Sequence, residues 1–178
     1  MTQIEWVEHL ASFVAWFLEL YLPPMIANSS PVLIRGTHPV DFGRNFVDGK
    51  RIFGSHKTWE GLLLGIVLGT LASLSTSMAF RDPSVALYGS IGALAALFGD
   101  LVGAFVKRRM DIRPGDPLPL VDQLDFALLA TLAYYFIAPD KLLEHGPSYV
   151  VISLILIALL HVLTNNAAYM LKLKDKRW

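Results

Sequence analysis

Residues 99–125 read GDLVGAFVKRRMDIRPGDPLPLVDQLD. This stretch holds five of the chain's fifteen acidic residues and four of its fifteen basic ones, yet long apolar segments flank it on both sides. An ionisable side chain at membrane depth costs roughly 3 kcal/mol or more, so it faces a water-filled cavity or a partner and by default marks a functional site. The reading of this stretch depends on the helix that follows it. The purely apolar part of that helix, residues 126–138, is about 20 Å long, too short to cross a hydrocarbon layer of about 30 Å. The span must therefore begin near Val121, which draws Asp122 and Asp125 below the membrane surface. These two are three residues apart and share a helix face.

Composition supports a membrane protein. Of 178 residues, 54% are hydrophobic and only 17% are charged, mean hydropathy is +0.49, and soluble domains carry about 25% charged residues. Net charge is zero, and no nucleic acid is expected among the partners. The absence of cysteine removes disulfides and thiolate metal sites. The start, MTQIEWVEHL, lacks a basic residue before its apolar run and is expected to belong to the mature fold. Five segments approach spanning length: residues 4–28, 59–80, 85–106, 121–138 and 149–171. The expectation is an all-α integral membrane protein, one transmembrane domain over residues 1–178, with loops at 29–58 and 107–120.

Lysine and arginine set the expected orientation. Thirteen fall in the two long loops and the tail: Arg35, Arg44, Lys50, Arg51 and Lys57; Lys107, Arg108, Arg109 and Arg113; Lys172, Lys174, Lys176 and Arg177. The opposite side has only Arg81 and Lys141. The N-terminus is therefore expected outside, with both loops and the C-terminus in the cytoplasm.

The first helix carries Glu8, His9 and Glu19, and Pro23 and Pro24 should kink or end it. Glu19 reads either as a site carboxylate or as a helix-contact residue. The first loop carries Gly36, Gly43, Gly49 and Gly54 among basic side chains, a composition that suits an anion-binding concavity. Lys57 and Glu60 open the second helix, whose free N–H groups favour phosphate. They lie on one face and read either as phosphate ligands or as an interfacial ion pair. Asp100 and Lys107 share a face of the third helix, two turns apart. Asp100, Asp122 and Asp125 thus converge from two helices, and three carboxylates in a low dielectric require cations. Hard oxygen ligands suit Mg²⁺ or Mn²⁺, bound through few carboxylates plus substrate phosphates, with Lys107, Arg108 and Arg109 beside them. The alternative is a set of acid–base pairs that fix helix packing. In the fifth helix His161 and Asn165 form an inward polar stripe, with His161 read as a packing residue. The tail KLKDKRW reads as an interfacial anchor.

The pattern Gly-Asp, then Lys-Arg-Arg, then Asp-Gln-Leu-Asp-Phe resembles the C-terminal signature of the CTP:phosphatidate cytidylyltransferase family. With IANSSPV, VDFGRNFVDGKRIFG and KTWEG, the whole chain is similar to its archaeal branch, the CDP-archaeol synthases. Two positions depart from the wider pattern: Gln123 replaces an arginine and Ala104 a serine. The resemblance implies Mg²⁺-dependent transfer of CMP from CTP to a prenylated glycerol phosphate lipid, at a site open to the cytoplasm of the cell membrane. It implies Asp100, Asp122 and Asp125 as metal ligands and Lys57, Lys107 and Arg108 on the triphosphate, with Asn28 and Glu60 also in the substrate site. A homodimer is expected for so small a bundle, although no interface motif marks it. The competing class is a small cation-coupled transporter or channel lined by intramembrane acids; against it, polar groups beyond Glu8 and His9 are missing toward the outer face.

Overall fold

The computed structural model describes residues 2–173, so the tail positions 174–178, and most of the expected anchor with them, lie outside the described residues. Among the described residues there are six helices: α1 (Gln3–Ser29), α2 (Trp59–Phe80), α3 (Ser84–Arg109), α4 (Val121–Ile137), the short α5 (Pro139–Leu142) and α6 (Pro147–Met170). A 3₁₀ turn, Ser30–Leu33, follows α1, and β-structure among the described residues is limited to the isolated bridges Pro39–Thr58 and Asn45–Arg51. The architecture is all-helical, as expected. Among the described residues, four segments are long and apolar enough to cross a membrane: Gln3–Leu33, Trp59–Phe80, Ser84–Arg109 and Pro147–Met170. Their outward faces carry bare Leu63, Val67 and Leu71 on α2 and Val151, Ile155, Leu159 and Leu163 on α6. That surface suits lipid and not water. At 17 residues α4, about 25 Å long, is shorter than these.

Local chemistry explains the helix boundaries. Thr2 caps α1 in a reciprocal capping box with Glu5, which satisfies two otherwise orphaned N–H groups. Thr58 caps α2 by accepting from the Gly61 N–H at 3.3 Å. Of the two outcomes expected for Pro23 and Pro24, a kink or an end, the end is excluded, because the helix continues to Ser29 with both prolines fully buried. A proline removes the hydrogen bond to the carbonyl four residues earlier, so Pro24 orphans the Leu20 carbonyl. The buried Tyr134 hydroxyl of α4 donates to that oxygen at 2.6 Å and supplies the missing bond.

Small residues let the helices approach. Gly65 and Gly69 of α2 face Ala27 of α1 and Leu97 and Ala93 of α3, with no room for a Cβ, the close packing that replaces a hydrophobic driving force in lipid. Aromatic side chains fill the core between α1, α3 and α4: Trp16, Phe17, Tyr21, Tyr88, Phe126 and Tyr134. By contrast α6 buries only Ser153 and Ile157, so it covers α4 loosely along its length.

Glu19 belongs to one end of this bundle. It accepts a short hydrogen bond from Tyr88 and pairs with Lys141 of α5 at 3.4 Å, while Lys141 also reaches Asp82 of the α2–α3 turn at 3.3 Å. Trp16 Nε1 donates to the Lys141 carbonyl at 2.8 Å and anchors α5 on α1. Glu19 is therefore a contact residue, the second of its two sequence readings, at the end opposite Asp100, Asp122 and Asp125.

Candidate active site

Those three aspartates line one cavity of about 670 Å³, together with Asn28, Lys57, Lys107 and Arg108. Close backbone approach between α3 and α4 places the acids. A Cβ on Gly99 would strike the Asp125 carbonyl and the Phe126 backbone, and one on Gly103 would strike the Asp125 carboxylate. Two glycines one turn apart thus let α4 lie directly on α3, with Asp125 filling the space that a side chain at 103 would take.

Lysines neutralise two of the acids. Lys57 Nζ donates to both oxygens of Asp100 at 2.6 Å, and Lys107 Nζ to both oxygens of Asp122 at 2.8–2.9 Å. Asp122 also ties the preceding loop to the start of α4 by accepting from the Leu118 N–H at 2.9 Å. Of the local pairs open in the sequence, Lys57 does not pair with Glu60: Asp100 takes its cation from Lys57, just before α2, and Lys107 of α3 takes its acid from α4. Asp125 accepts from its neighbour's Phe126 N–H at 2.7 Å and forms no ion pair with another described residue. Nor does any group of three acidic or histidine side chains among the described residues stand ready to hold a metal ion. The donor set fits a divalent cation bound through one or two carboxylates and completed by phosphate oxygens, the habit of Mg²⁺; it does not fit a preformed cage of three.

Arg108 is 8% exposed, lines the cavity, and its Nε is buried without a hydrogen-bond partner among the described residues. A buried guanidinium N–H left unsatisfied is rare and calls for an acceptor. The apolar part of the cavity wall comes from Leu22, Met25 and Ile26 of α1, Phe126 of α4 and Ile157 and Leu160 of α6. His161 and Asn165 line it as well, as the inward stripe implied, and the His161 ring lies 6.2 Å from that of Phe126. Ala104, at the family's serine position, also lies in the wall.

Two of the expected substrate ligands are engaged elsewhere. Arg109 pairs with Asp48 at 2.7 Å, donates to the Arg51 carbonyl at 2.6 Å, and sits over the Phe46 and Phe105 rings at 5.1 and 4.6 Å, although its Nη1 is buried without a hydrogen-bond partner among the described residues. It staples the first loop to the end of α3. Glu60 accepts from the Thr37 N–H at 3.0 Å, the His38 N–H at 3.2 Å and the Thr37 hydroxyl at 3.1 Å, with His38 Nδ1 at 2.6 Å. It organises the loop before α2. Sequence reasoning passed over Asp41, a buried acid of the first loop bound by Arg51; an acid followed ten residues later by a basic residue inside a glycine-rich loop was the available signal.

The helical membrane bundle and its cavity, charged on one side and apolar on the other, define an intramembrane protein that accommodates polar and apolar groups together. The family model described as "CarS-like: CDP-archaeol synthase" matches residues 9–178. The CDP-archaeol synthase of Staphylothermus marinus is 51% identical over 166 residues, which span 93% of this chain and 94% of that one. That of Pyrobaculum islandicum is 42% identical, over 92% of this chain and 98% of its own. A solved structure, "Structural insight into an intramembrane enzyme for archaeal membrane lipids biosynthesis", superposes with a TM-score of 0.73 at 39% identity and covers 83% of this chain and 91% of that one. The chain belongs to the CDP-archaeol synthase family.

Proposed function

We propose that the protein transfers CMP from CTP to 2,3-di-O-geranylgeranylglyceryl phosphate, giving CDP-archaeol and pyrophosphate. One observation carries the reading: Lys57, Lys107 and Arg108 open into the same cavity as the apolar wall from α1, α4 and α6, so one chamber serves both a triphosphate and a prenyl glycerol phosphate. In the reaction an oxygen of the lipid phosphate attacks the α-phosphorus of CTP and the α–β phosphoanhydride bond breaks, its electron pair leaving with pyrophosphate. The nucleophile is already an anion, so no side chain needs to activate it. The chain's task is to bring two repelling anions together.

Arg108 offers its unpartnered N–H to a phosphate, and Lys57 and Lys107 share their ammonium groups between an aspartate and the incoming anion. Asp125, with Asp100 and Asp122 beside it, would hold Mg²⁺ or Mn²⁺, which would supply charge neutralisation on the phosphates. Asn28 lines the nucleotide side. The prenyl chains lie against Phe126, Ile157 and Leu160 and leave through the loosely covered side of α6.

The reading includes a single transmembrane unit of five crossings with α4 as the shortest, the N-terminus outside and the cavity facing the cytoplasm, as the lysine and arginine distribution supports. Assembly as a homodimer completes it. A cation pathway is not favoured: the relatives are synthases, and Glu19, the acid at the far end, is closed off by Tyr88 and Lys141.

Purified protein in detergent with CTP, Mg²⁺ and the lipid phosphate tests the reaction. CDP-lipid and pyrophosphate are expected in equal amounts. Consumption of CTP at the same rate without the lipid would overturn it.

A further inference from the structure

Asp41 lies in the first loop, yet its residue exposure is only 4%. One carboxylate collects five donors: the N–H groups of Gly43 at 3.1 Å, Phe53 at 3.0 Å and Gly54 at 2.9 Å, Arg51 Nε at 3.1 Å, and a short bond from Arg51 Nη2. The loop is thereby closed on itself, with residues 53 and 54 returned to the acid that begins it. That return matters because of what Gly54 touches. Its backbone holds φ +99°, and a Cβ there would lie 3.0 Å from Arg108 Nη1 and 3.3 Å from Pro114 Cγ. Gly54 is therefore the wall behind the Arg108 guanidinium, and Phe53 lines the cavity beside it. Since Arg108 Nε has no hydrogen-bond partner among the described residues, this wall contributes to its placement where hydrogen bonds to Nε do not.

We propose that Asp41 is a positioning residue for the transfer reaction: by locking the Phe53–Gly54 backbone it holds Arg108 against the cavity and sets the affinity for the CTP triphosphate without touching the nucleotide. The inference rests on the reading of Arg108 as a phosphate ligand. It differs from a purely architectural role in one respect. An architectural acid lowers stability and every substrate's affinity together, whereas a residue acting through Arg108 has no effect on CTP once Arg108 is gone.

A double-mutant cycle separates the two, with CTP affinity measured by equilibrium dialysis on wild type, Asp41→Asn, Arg108→Met and the double variant, alongside KM for CTP and for the lipid phosphate. Asparagine keeps the size of Asp41 but not the charge that Arg51 and three N–H groups bind. Loss of one charge-assisted contact predicts about tenfold weaker CTP binding in Asp41→Asn, with an unchanged KM for the lipid, and no further loss when the change is added to Arg108→Met. Gly54→Ala approaches the same contact from the other side and is expected to reproduce the pattern if Asp41→Asn folds poorly. Wild-type CTP affinity in Asp41→Asn, or losses that multiply in the double variant, overturns the inference while leaving Arg108 as a ligand. Wild-type affinity in Arg108→Met instead removes the Arg108 reading, and the inference with it.

Discussion

Replacing Arg108 by methionine should move stability and function in opposite directions. Methionine keeps most of the length of the stem and deletes the guanidinium, whose Nε is buried without a hydrogen-bond partner among the described residues. An unsatisfied buried polar group costs about 1–3 kcal/mol, so without nucleotide the variant should unfold at the same temperature as wild type or higher. With nucleotide the sign reverses. A hydrogen bond to a charged group contributes about 2 kcal/mol, which raises the Kd for CTP roughly 30-fold. At a CTP concentration of about 100 times the wild-type Kd, binding stabilises wild type by about 2.7 kcal/mol; the variant, at about three times its own Kd, should gain only about 0.9 kcal/mol. Thermal unfolding in detergent with and without CTP reads both effects at once. A lower melting temperature without CTP, combined with a full CTP-induced shift, would mean that Arg108 is a packing residue and that the argument from its unsatisfied nitrogen is wrong.

Four further outcomes follow from the same geometry. Asp125→Asn preserves shape against Gly103 but removes the carboxylate that forms no ion pair with a described residue, and transfer at saturating substrate should fall by about 10² or more; near-normal turnover by the purified variant contradicts that role. Gly103→Ala places a methyl where the Asp125 carboxylate lies, so activity should collapse while circular dichroism still reports helix. At the far end, Lys141→Met strips Glu19 and Asp82 of their shared cation, and unfolding should come earlier by about 1–3 kcal/mol with kcat/KM unchanged; a fall in kcat/KM would link the two ends of the bundle. Finally, burial alone would raise the Asp41 carboxyl, but Arg51 and the N–H groups of Gly54, Phe53 and Gly43 outweigh it and hold it well below the usual carboxylate range. Because this group's pKa is lower folded than unfolded, its stabilisation is present above about pH 4 and is lost as pH falls further. Hydrogen exchange of residues 41–54, corrected for intrinsic rate, should stay constant from pH 7 to 5 and accelerate only below about pH 4, and Asp41→Asn should abolish that dependence.

What the sequence made legible was whatever a length or a period determines. The start of α4 at Val121 followed from the arithmetic of spanning, and with it the convergence of Asp100, Asp122 and Asp125. What it hid were choices among equivalent partners. Lys57 lies three residues from Glu60 and so had a plausible local partner, while for Asp100 the spacing named no particular cation. The fold instead pairs Lys57 with Asp100 and Lys107 with Asp122, through contacts that exist only after α2, α3 and α4 assemble. Glu60 and Arg109 were indistinguishable by type from site residues, but the first loop, which precedes both in the chain, engages both. That α1 runs past Pro23 and Pro24 was hidden because the compensating donor, Tyr134, is more than a hundred residues away. Asp41 carried no periodic signal at all, since its role is defined by backbone N–H groups that every sequence possesses.

The central claim is that one cavity brings the α-phosphorus of CTP to a lipid phosphate, and the fate of labelled phosphorus tests it most directly. Purified protein supplied with the prenyl glycerol phosphate and Mg²⁺ should place label from α-labelled CTP in the lipid product, and label from γ-labelled CTP in pyrophosphate alone. Label from the γ position in the lipid, or no lipid labelling from either, would contradict the account.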